Sequence, residues 1–212
     1  MPRLTLCLAW LPSRMPTMPM FPLGSVLFPK MPLPLRIFEP RYLAMLGAIL
    51  AEEPSEFGVV LIERGHEVGG GDARMGIGTV AQIVELDTSA EAVLVVALGD
   101  RRFEVTGWHG DDPFPRADVE PLPELEWSDD VVPLRDQAES VVRRALARAT
   151  EWGEGRWPAD VELAGDPISA VWQLAAVAPL GPLDQVALLR ATSVEQLLNR
   201  TIDLVTAVEA MY

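Results

Sequence analysis

The period of the hydrophobic pattern changes near residue 121, and this change divides the chain into two kinds of structure. Before it, short apolar runs alternate with turn residues. Met20 to Leu23 and Val26 to Phe28 predict two short strands around a turn at Gly24-Ser25, the first at a sheet edge because prolines border it. A proline-rich crossover follows, and from Pro40 the residues Tyr42, Leu43, Leu46, Ile49 and Leu50 gather on one face of a helix. Pro40 lacks the N–H that a first helical turn leaves unpaired, and Glu39 sets negative charge at the positive end of the helix dipole. Phe57 to Ile62, continuous and partly β-branched, predicts a buried strand. Residues 65–76 read as a glycine-rich loop. Ile77 to Leu86 and Ala92 to Leu98 then predict strands lying deep in the sheet, joined by a turn at 88–91. Gly99-Asp100 predicts a two-residue hairpin, because glycine supplies the positive φ of a type II′ turn. Beyond it Phe103, Val105 and Gly107 alternate with Arg102, Glu104 and Thr106, and Arg116 to Glu120 predicts a closing strand, about six in all.

After a linker at 121–130, Val131, Leu134, Ala138, Val141, Val142, Ala145 and Leu146 recur at helical spacing, predicting a helix to Thr150. Glycine and proline interrupt residues 151–165, which carry Trp152 and Trp157; the pattern leaves the burial of both open. Asp166-Pro167 supplies a cap and a first-turn proline for a helix through Val177, and Gly181-Pro182 separates it from Leu183 to Arg190. Ser193 and Gln196 have capping-box spacing for a last helix from Val194 to about Met211. Strands first and helices later predict an α+β plan with segregated elements.

Charge narrows the partners. The net charge of −14 is spread along the chain, with 10 basic against 16 acidic residues up to Pro121 and 7 against 15 beyond it. Neither part offers the clustered Lys and Arg that bind phosphates, so nucleic acid and membrane are not expected partners. With 49% hydrophobic and 23% charged residues, the 212-residue chain is a globular protein able to build a core. A lone cysteine, Cys7, excludes an internal disulfide and a cysteine zinc site, which fits a reducing, cytoplasmic setting. Residues 1–17 are expected to be a leader ahead of the folded part, starting biologically at Met18 or Met20. Their apolar run from Leu4 to Leu11 resembles a secretory signal, but no small-residue cleavage site follows. No run approaches the ~20 apolar residues of a membrane span.

Phe21-Pro22-Leu23, Leu27-Phe28-Pro29, Pro32-Leu33-Pro34-Leu35 and Ile37-Phe38-Glu39-Pro40-Arg41-Tyr42, in that order, resemble the signature of the Lon amino-terminal domain. That domain is the substrate-recognition module of Lon-type ATP-dependent proteases and also occurs as a free-standing protein. Gly78-Thr79-Val80-Ala81-Gln82-Ile83 and Gly99-Asp100-Arg101-Arg102-Phe103 resemble its later strand and its glycine, arginine, phenylalanine hairpin. Trp172-Gln173-Leu174-Ala175 and Leu188-Leu189-Arg190-Ala191-Thr192-Ser193 resemble its helical bundle more loosely. The resemblance implies a small, bent, six-stranded β pseudo-barrel of PUA-like form with one helix over 18–121, then an all-α bundle over 122–212. It also implies a proteolysis-associated module that binds polypeptides.

Catalytic chemistry finds little support. A whole Lon protease needs a G-x-x-x-x-G-K-[ST] phosphate loop and a serine–lysine pair, whereas Lys30, between Pro29 and Met31, is the only lysine. The chain is therefore expected not to be an enzyme and to need no cofactor. Gly76-Ile77-Gly78-Thr79-Val80-Ala81 fits a dinucleotide fingerprint in letters only, because a strand and not a helix follows it. His66 and His109 lack a G-x-S-x-G serine, and a metal site would need Glu63, Glu67 or Asp72 from the glycine-rich loop. Asp111-Asp112 and Asp129-Asp130 read as solvated caps. Met18, Met20, Met31, Met45 and Met75 either fill the core or form a soft apolar binding surface. The proline-bordered strand edge is open to β-augmentation.

The leading expectation is a recognition module for polypeptide substrates or a protein partner. Its apolar groove would lie on the β part and its junction with the helices, with Phe28, Met31, Arg36, Phe38, Tyr42 and Arg102 as candidate contacts. The alternative is a small-molecule-binding enzyme or ligand-binding protein, with Arg36, Arg41, Arg101 or Arg102 in a pocket between sheet and helices. Pairing of these arginines with Glu39 or Glu104 counts against it. A scaffold that oligomerises through the last helix is a third reading, and the sequence leaves monomer and homodimer both open.

Overall fold

The computed structural model describes residues 17–51, 53–64, 73–88, 91–151 and 156–210. The expected leader up to residue 16, most of the glycine-rich loop with His66, Glu67 and Asp72, Trp152 and Met211 lie outside the described residues. Six strands, β1 (Thr17–Leu23), β2 (Pro32–Ile37), β3 (Glu56–Arg64), β4 (Ala73–Thr88), β5 (Val93–Trp108) and β6 (Arg116–Pro121), form one sheet in the order β2-β5-β4-β3-β1-β6. β6 pairs with both β1 and β5, so the sheet curls round on itself and β2 is left as the free edge. This is the bent, six-stranded arrangement the sequence implied.

Three local expectations fail for identifiable reasons. Val26–Phe28 is not a strand; the second strand is instead the proline-rich stretch Pro32–Ile37. Leu27 and Phe28 are drawn into different cores, and Thr79 donates its buried hydroxyl to the Leu27 carbonyl at 2.6 Å. Pro32 and Pro34, two apart on a free edge, turn their missing donors the same way, off the sheet. Second, β1 is not an edge: it lies between β3, which it pairs in parallel, and β6. Third, Gly99-Asp100 makes no hairpin, because β5 runs unbroken from Val93 to Trp108 and changes register against β4 between Arg102 and Gly99. Gly99 is needed for approach and not for a turn, since a Cβ there would strike the Phe28 carbonyl. Gly78, in the apparent dinucleotide fingerprint, is likewise a packing glycine inside β4, facing Phe103 and the Val59 carbonyl.

Helix α1 (Pro40–Ile49) begins at Pro40 as expected, with Glu39 bonded to Arg41 at 3.1 Å. Its buried face is Tyr42, Met45, Leu46 and Ile49; Leu43 and Leu50, assigned inward from their spacing, are exposed. Met18, Met20 and Met45 are fully enclosed, which settles those methionines as core filling, while Met31 and Met75 pack half-buried against the helical side. The far ends of β4 and β5 also lie less deep than expected, leaving Val84, Leu86, Leu94 and Leu98 exposed.

Beyond β6, α2 (Val132–Glu151), α3 (Pro167–Val177), α4 (Pro182–Leu189) and α5 (Val194–Glu209) match the sequence reading closely. Asp166 and Ser193 accept from the backbone N–H groups of Ser169 and Gln196, so both predicted caps form. The helices share one core with Phe28, Leu61 and Ile77 from the β part, and Leu125 of the linker is buried in it. Trp157 is half-buried against the same core.

Candidate functional site

Two prolines border an apolar groove beside the helices. Ala178 leaves helical geometry at ψ 134° just before Pro179, which ends α3, and Pro182 can begin α4 only after an extended connection. That connection cannot fill the gap beside α2 and α5, and a groove of about 380 Å³ remains. Ala145, Leu146 and Ala149 of α2 form one wall, Ala176 and Val177 of α3 another, and Leu180, Val208 and Trp157 complete an apolar floor. Small alanines at these positions keep the space open. Gly24 and Ser25, the turn after β1, close it from the β side, so the groove lies where the two parts of the chain meet.

The charged residues of its lining are Arg148, Arg156 and Glu209. Glu209 accepts from Arg144 at 2.8 Å and lies 3.4 Å from Arg148, while Arg156 stands at the rim. The hydrogen bond from Arg144 and the nearby guanidinium charges hold the Glu209 carboxyl below its usual range, against partial burial, which opposes ionisation. A carboxyl lowered in this way stabilises the fold above its ordinary value near 4.5, and that contribution is lost as pH falls through the depressed value. Glu209→Gln is therefore expected to melt at a lower temperature than the native chain at pH 7, with the gap closing as pH falls below 4.5 and through the depressed value. A gap of constant size across the titration would show that the ion pair is not its source.

At a separate place on the junction, the β part is locked to the helices by Arg102. Its guanidinium donates to the carbonyls of Leu189 and Ala191 at 2.6 and 2.7 Å and to that of Pro123 at 2.6 Å, and it stacks 4.9 Å from the Trp172 ring. The Leu189 carbonyl is the last of α4 and Ala191 follows its cap, so the cation sits at the negative end of a helix dipole. Burial pushes the Arg102 pKa down, yet a guanidinium stays protonated throughout the physiological range. Phe28 lies against the same Trp172 with ring centroids 6.2 Å apart, and Gln173 donates to the Lys30 carbonyl at 3.2 Å.

This arrangement of a curled sheet locked to a helical bundle has counterparts among solved structures. A Lon N-terminal domain protein from Xanthomonas campestris superposes with a TM-score of 0.63 at 23% identity, covering 89% of this chain and 98% of that one. The N-terminal domain of a Mycobacterium avium complex Lon protease does so at 0.62 and 18%, covering 90% and 98%. The chain matches no curated protein sequence. Residues 17–207 match the family model of the ATP-dependent protease La (LON) substrate-binding domain. The chain belongs to the Lon substrate-binding domain family.

In this Lon-family chain the six candidate contacts do not converge on one surface. Phe28 and Arg102 are buried at the junction around Trp172, and Met31 packs half-buried between the two cores. Tyr42 is enclosed beneath α1, stacked on Phe21 at 4.0 Å. Arg36 and Phe38 face solvent, Arg36 on Glu91 at 3.0 Å and Phe38 55% exposed. None of the six lines the groove. Of the four arginines of the small-molecule reading, Arg101 and Arg102 both line a small cleft of about 40 Å³ between sheet and helices, and Arg36 and Arg41 do not line it. Arg36 pairs with Glu91, Arg41 with Glu39, Arg101 with Glu56 and Asp100, and Arg102 with three carbonyls. Arg148, Arg156 and the alanines of the groove carry no motif. Their only trace in sequence is Ala145 and Ala149, one turn apart on a helix.

Two further features bear on recognition. Directly opposed residues of β2, β5 and β4 share a face, so Pro32 with Leu98 and Pro34 with Val96 form an apolar outer surface. The free edge of β2 presents prolines where a pairing strand would need donors, which opposes β-augmentation there. His109 lies 2.9 Å from Asp118, which also accepts from Thr17 at 2.7 Å. Among the described residues no group of three or more His, Cys, Asp and Glu side chains could hold a metal ion, and no helix is long and apolar enough to cross a membrane.

Proposed function

We propose that the chain is a non-catalytic recognition module that holds segments of other polypeptides in the groove between α2, α3, α5 and the Gly24–Ser25 turn. The β part, 18–121, and the helical part, 122–212, serve as two sides of one site. The observation that carries this reading is an apolar groove of about 380 Å³ in a family defined by substrate binding. Its size is that of sites which enclose a few side chains, and its lining is mostly apolar with Arg148, Arg156, Gln185 and Glu209 among the polar members. The lone lysine, Lys30, sits in a proline-bounded turn with its ammonium 3.6 Å from Asp100.

Filling the groove tests the reading. Ala149→Trp adds a ring at a half-buried position on α2 and is expected to weaken binding of a reduced, carboxymethylated polypeptide at least about tenfold, with the melting temperature unchanged. Fluorescence anisotropy measures the binding and differential scanning calorimetry the fold. Equal affinity of the two proteins would place polypeptide binding elsewhere, and hydrolysis of the polypeptide or of ATP by the purified chain would overturn the non-catalytic assignment.

A further inference from the structure

The groove borders a group of arginines. On a chain of net charge −14, Arg144 and Arg148 share one carboxylate, Glu209, and Arg156 lines the same groove as that carboxylate without pairing with it. Arg36, Arg41, Arg74, Arg101 and Arg190 each face an acidic side chain, at distances from 2.6 to 3.8 Å. Arg156 faces none: among the described residues it has neither a carboxylate nor a carbonyl partner, although it borders the apolar floor. An unpaired arginine beside apolar walls, on a protein with acids in excess, is complementary to a ligand that joins an apolar group to an anion.

The size of the groove narrows the ligand. At about 380 Å³ it lies near the lower end of the ~300–1,000 Å³ range of enclosed sites, room for a few side chains and not for a long extended segment. Within an extended chain, an acidic residue and its apolar neighbour point to opposite faces. Only at the carboxyl end of a polypeptide do an apolar side chain and a carboxylate belong to the same residue. Resting on the reading of the groove as a polypeptide site, we propose that it takes the free C-terminal end of a polypeptide, with an apolar last residue on the floor and its α-carboxylate on Arg156. No bond is made or broken; the selectivity is one of binding alone.

Three labelled peptides on the full chain test this by fluorescence anisotropy. One ends in Ala-Leu-Leu with a free carboxylate, the second is the same peptide as its C-terminal amide, and the third is an amide with glutamate inserted before the last residue. The free acid is expected to bind about fivefold more tightly than either amide, the scale of one solvent-exposed charge pair. Arg156→Gln, a change at an exposed side chain, is expected to erase that difference while leaving the affinity for the plain amide unchanged. Equal binding of acid and amide overturns the C-terminal assignment and leaves polypeptide recognition standing. Tight binding of the glutamate amide overturns it in favour of internal acidic segments, and displacement of the peptide by octanoate in preference to a free C-terminal dipeptide overturns it in favour of a fatty acid. Binding of none of the three peptides overturns both readings.

Discussion

Replacing Arg102 with methionine is expected to destabilise the fold by about 3 kcal/mol, although methionine keeps much of the apolar bulk. Arg102 is 4% exposed and is the donor for three carbonyls, two of them at the end of α4. Without it those acceptors remain buried with no donor, and the desolvation cost of each comes due in full. The stacking on Trp172 is lost as well, though methionine recovers part of it through sulfur–aromatic contact. Urea denaturation monitored by tryptophan fluorescence measures the change directly. A loss below about 1 kcal/mol would mean that water reaches the Leu189 and Ala191 carbonyls and that the lock between the two parts is weaker than its geometry indicates.

Phe28→Ala is expected to cost about 4 kcal/mol, the range for removing a large aromatic side chain from a close-packed core. Phe28 is 1% exposed and joins the helical core from the β side, against Trp172. Because Phe28 and Arg102 touch the same indole, the two losses should fall short of additive in the double variant, which a double-mutant cycle reads. The Gly24–Ser25 turn lies just upstream of Phe28 in the chain and borders the groove. Loosening the anchor should therefore also weaken polypeptide binding under conditions where the variant is still folded. Full additivity would separate Phe28 from the lock that Arg102 makes.

These two residues show how a correct selection can carry a different meaning. Phe28 and Arg102 stand out in the sequence within segments resembling the Lon family, and the structure places both at the junction, committed to internal partners. An arginine on an alternating strand reads as solvent-facing because nothing local reveals that three carbonyls, at Pro123, Leu189 and Ala191, will be brought to meet it. The same limit explains Gly99. Next to Asp100 it has the composition of a tight turn, but the constraint it satisfies is the nearness of the Phe28 carbonyl, a contact across about seventy residues of sequence. Spacing alone places Leu43 and Leu50 on the inner face of α1, whereas in the fold both are exposed and Met45 occupies that face.

By itself the sequence determined the switch from strands to helices, the caps at Asp166 and Ser193, and the family. Each of these depends on residues near one another in the chain, through periodicity, capping and proline's missing donor. Tertiary structure alone decided that the proline-rich stretch becomes the free edge of the sheet, that the fifth strand runs unbroken through Gly99, and that a groove opens beside two helices. Those outcomes follow from which distant surfaces meet and how much volume the alanines between them leave unfilled, quantities that no local pattern encodes.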